Sequence, residues 1–305
     1  TGELKIEIKI QQGKTLTRVA AIRGIDKEEV EAEFRAKFKE KMEAKFAENK
    51  EEFAKNGYIV FSNSRNHRMD DDVPLLIPEV NSEHLTIIKK QQKRFGNGFI
   101  VTNPNCSVIG LVIALKPLQD AFGLKKVFVT TMQALSGAGY PGVASLDILD
   151  NVVPYIGGEE EKIETESLKL LGNIKNDEFE FAKIKISAQC NRVNVKDGHL
   201  EAVNIELEKK ADLEQIKNVF KNFNPLKKLN LPSAPNPPIV VREEIDRPQP
   251  KYDRDLGNGM TVTVGRIRKC NILGYRFLVL SHNTIRGAAG AAILNAELMK
   301  VKGYL

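Results

Sequence analysis

Leu4, Ile6, Ile8 and Ile10 alternate with polar residues, which is the period of a half-buried strand. A turn through Gly13 and a second strand over 17–22 follow. Asp26 stands three residues before Glu29, a capping box with Asp as the cap, and a long helix should start there. Val30, Phe34, Phe38, Met42 and Phe46 recur at intervals of four and form one apolar stripe along it. Gly57 is placed to end that helix. The opening is therefore predicted as strand–strand–helix–strand.

From Tyr58 the pattern changes to alternating strands and helices, the texture of an α/β enzyme. Strands are predicted over 58–61, 99–102, 127–135, 179–186, 192–195, 201–207, 260–267 and 276–280. Helices are predicted over 84–94, 108–122, 144–152, 160–171, 213–220 and 288–301. The Pro-rich stretch 225–250 reads as a connection, and there is no internal repeat.

Composition narrows the class. With 42% hydrophobic residues in 305, disorder is excluded as the main state. No apolar run approaches the ~20 residues of a membrane helix, so no membrane partner is expected. The net charge of +6 fits small anionic ligands, while the lysines over 27–55 alternate with glutamates, which argues against nucleic acid. Three cysteines without CxxC spacing fit a reducing, cytoplasmic compartment, where one thiol is free for catalysis.

Candidate chemistry gathers at a few motifs. Asn105-Cys106-Ser107 lies at a predicted strand-to-helix turn, where the helix dipole and unpaired amides favour a thiolate. The alternative is a buried cysteine acting as a small hydrophobe. Gly137-Ala138-Gly139-Tyr140-Pro141-Gly142 matches G-x-G-x-x-G, although Pro before the third glycine is awkward for a pyrophosphate cradle. Arg192 and His199, across the Asp197-Gly198 bend, are placed to converge on one substrate, Arg on a carboxylate and His on a proton. His67, His84 and His282 share no metal-ligand spacing, and no metal is expected.

The segments VTNPNCSVIG, TTMQALSGAGYPGV, ILDNVVPYIGGEEEKIETE, SAQCNRVNVKDGH, RPQPKYDRD and HNTIRGAAGAAILNAE together resemble aspartate-semialdehyde dehydrogenases of the archaeal and fungal branch, in order, from about residue 57 to 305. The resemblance implies an α/β protein. A reduced or altered Rossmann-like nucleotide-binding part would comprise 1–105 with 286–305. An α+β catalytic and dimerisation domain with an open mixed sheet would comprise 106–285. It implies NADPH-dependent reductive dephosphorylation of L-4-aspartyl phosphate to L-aspartate 4-semialdehyde through a cysteine thioester, in lysine, methionine and threonine biosynthesis. A homodimer or homotetramer is implied as well.

By the same resemblance Cys106 is the nucleophile, Gln133 orients the acyl group and His199 is the general acid/base. Arg192 binds the substrate carboxylate, Arg68 and Lys162 the phosphate, and Glu159 the substrate amine. Asn105 and the helix-start amides hold the oxyanion, and Ser136, Gly137, Gly139 and Asn283 approach the nicotinamide end of NADP.

Residues 1–56 depart from that pattern. They hold only Gly2, Gly13 and Gly24, which cannot form the family's G-x-x-G-x-x-G turn around the pyrophosphate. Glu28, Glu29, Glu31 and Glu33 crowd the predicted helix start, so NADP(H) is expected to bind weakly. A chain that keeps the thiol site but binds NADP poorly, or a malonyl-CoA reductase-like enzyme of the same superfamily, are the alternatives.

Overall fold

This computed structural model describes residues 48–139 and 142–305. Two compact units divide the chain, 1–50 and 51–305, and the fold below is that of the second. The strands expected over 4–10 and 17–22 and the start of the first helix lie outside the described residues. Its end does not: residues 48–55 are helical, and Gly57 stops them at φ +84°.

Two sheets carry this unit. β1 (Ile59–Ser62) and β2 (Phe99–Thr102) form a parallel pair. Against it pack α1 (Ile88–Phe95) and Leu294, Leu298 and Met299 of the closing helix α5 (Gly290–Val301).

The larger sheet is mixed and has the order β6-β3-β7-β10-β9-β8. Its strands are β3 (Leu124–Gln133), β6 (Lys185–Arg192), β7 (His199–Leu207), β8 (Ile239–Arg242), β9 (Val262–Cys270) and β10 (Gly274–Ser281). A separate hairpin pairs β4 (Asn173–Lys175) with β5 (Glu178–Glu180).

Alternation decides which face is buried. In β7, His199, Glu201, Val203, Ile205 and Leu207 are buried, while the residues between them are only partly so. The buried face carries α2 (Cys106–Phe122), α3 (Glu159–Leu170) and α4 (Leu213–Asn222), and Val108, Leu111, Val112, Ile163, Ile216 and Phe220 fill the core between. The opposite face presents Phe128, Thr130 and Met132 of β3 beside Ala202 and Leu200 of β7. Phe128 remains 42% exposed there.

Five expectations change. The helix over 144–152 shrinks to one turn, Ser145–Ile148, because the chain leaves it to bridge Val153 to Arg192. The helix over 84–94 begins as a tighter turn, Ser82–Ile87. The strands over 179–186 and 192–195 become the short β5 and a β6 ending at Arg192. Inside the Pro-rich connection lies a strand, β8, whose Ile-Val-Val run is too short to stand out beside Pro237-Pro238.

Candidate active site

Sheet register builds the first half of the site. Gln133 pairs with Arg192, and the pairing of Met132 with Leu200 sets His199 beside Gln133. Arg192, Gln133 and His199 thus stand in one row across three neighbouring strands, on the buried face. One residue beyond β3, Ala134 ties two of them together: its N–H donates to His199 Nδ1 at 3.0 Å, and its carbonyl accepts from Arg192 Nη1 at 2.7 Å. One pleat below, Glu201 is buried with neither carboxylate oxygen paired, and burial pushes its carboxyl well above the usual range.

The second half comes from the turn between β2 and α2. Asn105 caps α2, its Oδ1 accepting from the N–H groups of Ser107 and Val108. Cys106 follows as the first helical residue, with Sγ 3.2 Å from His199 Nε2. Because His199 Nδ1 accepts a backbone N–H, the neutral ring carries its proton on Nε2, facing the sulfur. Burial pushes the Cys106 thiol up to about 12, and Glu159 adds to it against Arg68 and Arg192. Burial and the nearby Arg192 lower His199 to about 3. Desolvation thus works against the thiolate that the helix dipole favours, and both shifts run in the direction of thiol and neutral imidazole.

Helix α3 brings the charged groups. Glu159, Lys162, Glu166 and Lys169 are spaced three, four and three residues apart and share one face. Lys162 Nζ meets Glu159 Oε1 at 2.7 Å, and Asn105 Nδ2 and Gln133 Nε2 also donate to this carboxylate. Burial opposes its charge, yet Lys162 and these bonds hold its carboxyl below the usual range. Arg68 Nη1 donates to Glu166 Oε1 at 2.9 Å. Lys169 Nζ donates to the carbonyls of Arg68, Asp70 and Val73, which fixes the loop that carries Arg68.

Two loops approach the Cys106–His199 pair. Leu135–Ala138 is a helical turn whose Gly137, Ala138 and Gly139 are exposed. A Cβ at Gly137 would lie 2.8 Å from Arg192 Nη1 and 2.9 Å from His199 Cε1, so only glycine lets this turn sit on the pair. Asn283 bridges from the other side, donating to Ser136 Oγ at 2.8 Å and accepting from the Gly198 N–H. Gly287, after β10, lies so close to Cys106 that a Cβ there would meet the cysteine Cβ at 2.7 Å.

The sequence models of two families match the chain. One, described as semialdehyde dehydrogenase, dimerisation domain, matches residues 115–286, and the other, semialdehyde dehydrogenase, NAD binding domain, matches residues 10–88. The aspartate-semialdehyde dehydrogenase of Archaeoglobus fulgidus is 58% identical over 248 residues, covering 81% of this chain and 71% of that protein. The chain belongs to the aspartate-semialdehyde dehydrogenase family. The enzyme of Aspergillus fumigatus is 47% identical, covering 83% of this chain and 73% of its own. A crystal structure of the Candida albicans enzyme with NADP superposes with a TM-score of 0.77 at 44% identity, covering 84% of this chain and 75% of that one. The NAD-binding model reaches into the segment 1–56 that the glycine pattern sets apart.

Measured against what the aspartate-semialdehyde dehydrogenase resemblance implies, Cys106, His199, Gln133, Arg192, Arg68, Lys162, Glu159 and Asn105 are brought together. The oxyanion role expected of Asn105 meets competition, because its side-chain amide donates to both oxygens of Glu159 and its Oδ1 already occupies two helix-start amides. The sequence reading missed Glu166 and Lys169, although their helical spacing from Glu159 and Lys162 was the signal that could have found them. It also missed Ala134, which acts through its backbone and leaves no side-chain signature. The exposed turn Gly137–Gly139 carries no side chain larger than the Ala138 methyl and is flanked by Ser136 and Asn283, a lining compatible with a flat nicotinamide amide.

Proposed function

We propose that this chain catalyses the NADPH-dependent reductive dephosphorylation of L-4-aspartyl phosphate to L-aspartate 4-semialdehyde, on the route to lysine, methionine and threonine. The observation that carries the reading is the 3.2 Å contact of Cys106 Sγ with His199 Nε2, flanked by Arg192 and by the cations Arg68 and Lys162.

In this reading Cys106 Sγ bonds to the acyl carbon while the carbon–oxygen bond to phosphate breaks, leaving a thioester. His199 faces Sγ with a proton already on Nε2, so the thiol proton goes to the departing phosphate. Arg68 and Lys162 bind the phosphate oxygens, and Arg192 holds the substrate carboxylate through parallel hydrogen bonds. Gln133 orients the acyl group and Glu159 takes the amine. Ser136, Gly137, Gly139 and Asn283 would hold the nicotinamide end of NADP. When bound, the cofactor supplies the hydride that reduces the thioester. His199 hydrogen-bonds the departing sulfur through its Nε2–H while the carbon–sulfur bond breaks and the aldehyde is released, and a proton from solvent restores the thiol.

The catalytic and dimerisation part is assigned to 106–285, and the nucleotide-binding part to 1–105 with 286–305. The half-exposed sheet face around Phe128 supports a homodimer or a dimer of dimers, and three free cysteines fit a cytoplasmic enzyme. Weak cofactor affinity is read from Glu28, Glu29, Glu31 and Glu33, each adding on the order of 1–4 kcal/mol of repulsion at ~4 Å from a phosphate. NADPH oxidation that depends on L-4-aspartyl phosphate tests the activity, and its absence at saturating NADPH would overturn the reading. Titration with NADPH tests the affinity, which is expected ~100-fold weaker than that of an ordinary family member. Micromolar binding would show that residues 1–56 hold the dinucleotide after all.

A further inference from the structure

Both cations read as phosphate ligands are already held by carboxylates of α3. Lys162 is held by Glu159, at the rim, with its side chain 23% exposed. Arg68 is held more deeply, since its side chain is 7% exposed and that of Glu166 is 3%.

Glu166 uses both oxygens. Oε1 accepts from Arg68 Nη1 at 2.9 Å, and Oε2 accepts from the backbone N–H of Asn105 at 2.7 Å, the residue that caps the helix of Cys106. One buried carboxylate therefore joins the phosphate cation to the nucleophile's turn. Arg68 Nη2 donates to the Asn63 carbonyl at 2.7 Å, while its Nε is buried with no partner. Lys169 holds the loop backbone by three carbonyls, so the guanidinium is the part of Arg68 left to respond to an anion. An arriving phosphate meets a cation already neutralised at one donor and an adjacent negative charge.

We infer that Glu166 is a positioning residue that aims Arg68 at the Cys106 turn and keeps phosphate binding weak, so that phosphate leaves once the thioester has formed. The inference rests on reading Arg68 as the phosphate cation. A Gln at this position cannot serve both partners: if its oxygen accepts from Asn105, its amide turns donors toward Arg68 and frees the guanidinium. A purely structural ion pair would, on the same change, lose stability without gaining phosphate affinity.

Calorimetric titration of the full chain with inorganic phosphate, without cofactor, reads the effect directly. E166Q is expected to bind phosphate about tenfold tighter than the parent, and R68Q to lose binding. In the phosphorylating direction the KM for phosphate should fall by a similar factor. Should E166Q fail to fold, E166D carries the same expectation, because its shorter side chain cannot span Arg68 and the Asn105 amide. Unchanged or weaker binding in the Glu166 variants, with R68Q still losing it, overturns the inference alone. Undiminished binding by R68Q overturns it together with the phosphate role of Arg68.

Discussion

The N–H of Ala134 donates to Nδ1 of His199 at 3.0 Å, and this bond decides how the imidazole addresses Cys106. With Nδ1 engaged as acceptor, the ring cannot become imidazolium without losing the bond, and burial beside Arg192 disfavours that charge further. His199 thus presents a fixed N–H donor to the sulfur 3.2 Å away. H199A is expected to lower kcat about 100- to 10,000-fold. H199Q, which keeps an amide N–H near the place of Nε2, is expected to retain activity within about tenfold of the parent. A Gln variant as inactive as the Ala variant would mean that the ring must accept a proton.

Thiol reactivity should follow burial rather than the helix dipole. Backbone N–H groups of Leu273 and Ile272 lower the thiol of Cys270, whereas desolvation raises Cys106 to about 12 and Cys190 to about 11. Iodoacetamide at neutral pH is therefore expected on Cys270 first, without loss of activity. Inactivation should track the slower labelling of Cys106 and accelerate continuously toward alkaline pH. Peptide mapping that finds Cys106 modified first would show a thiolate there at rest.

Cys106→Ala should abolish turnover and leave the fold intact. The residue caps no helix, since Asn105 does that, and the change to Ala removes a single sulfur atom, so its loss leaves a small cavity at most. A melting temperature within a few degrees of the parent, with no detectable NADPH oxidation, is the expected pair of results. Substantial residual activity would remove Cys106 as the nucleophile.

How far the sequence discloses this site depends on where the signal lies. Cys106 at a strand-to-helix turn is local, and the turn between β2 and α2 is found at the expected place. Arg192 and His199 are seven residues apart across a bend, and their convergence beside Gln133 follows from register, which alternation in β3 and β7 largely fixes. The thiol's protonation is a property of the folded environment. No residue pattern around Cys106 announces that Glu159, 53 positions along, adds its charge to the desolvation. The double use of Glu166 is likewise invisible, because its two partners lie far off in sequence and one of them is a backbone amide. Strand β8 is missed for a simpler reason, a flank of prolines that reads as linker.

The sheet face away from α2 should carry a two-fold contact. Phe128 is 42% exposed on that face, between Asn204 and Ser187 of the neighbouring strands and two residues from Thr130 on its own. A large apolar side chain left partly in water on a sheet face is unfavourable, by about 1 kcal/mol for a Phe exposed to this extent. Light scattering at micromolar concentration is expected to show a dimer or larger, and F128D to shift it toward monomer. A parent chain that runs as a monomer would refute the contact.

Acid should destabilise the fold through His84. Its ring is fully buried, with Nδ1 accepting from Asn81 Nδ2 at 2.9 Å and Nε2 donating to the Gly172 carbonyl at 3.2 Å, an arrangement that suits the neutral form. Burial lowers its pKa from 6.5 to about 4, against the bond to Gly172, and Lys169 and Lys116 push in the same direction as burial. The unfolded chain therefore takes up this proton first as pH falls below 6.5, and the folded chain only near 4. Between those values the unfolded state binds more protons, so stability falls with falling pH, by about 3 kcal/mol from this residue. Above pH 6.5 the residue contributes no slope. H84Q removes the titration while keeping an amide in the pocket, so its melting temperature should be lower at pH 7 and flatter from pH 6.5 to 4. An acid slope as steep in H84Q as in the parent would move the acid sensitivity to His199 or the carboxylates.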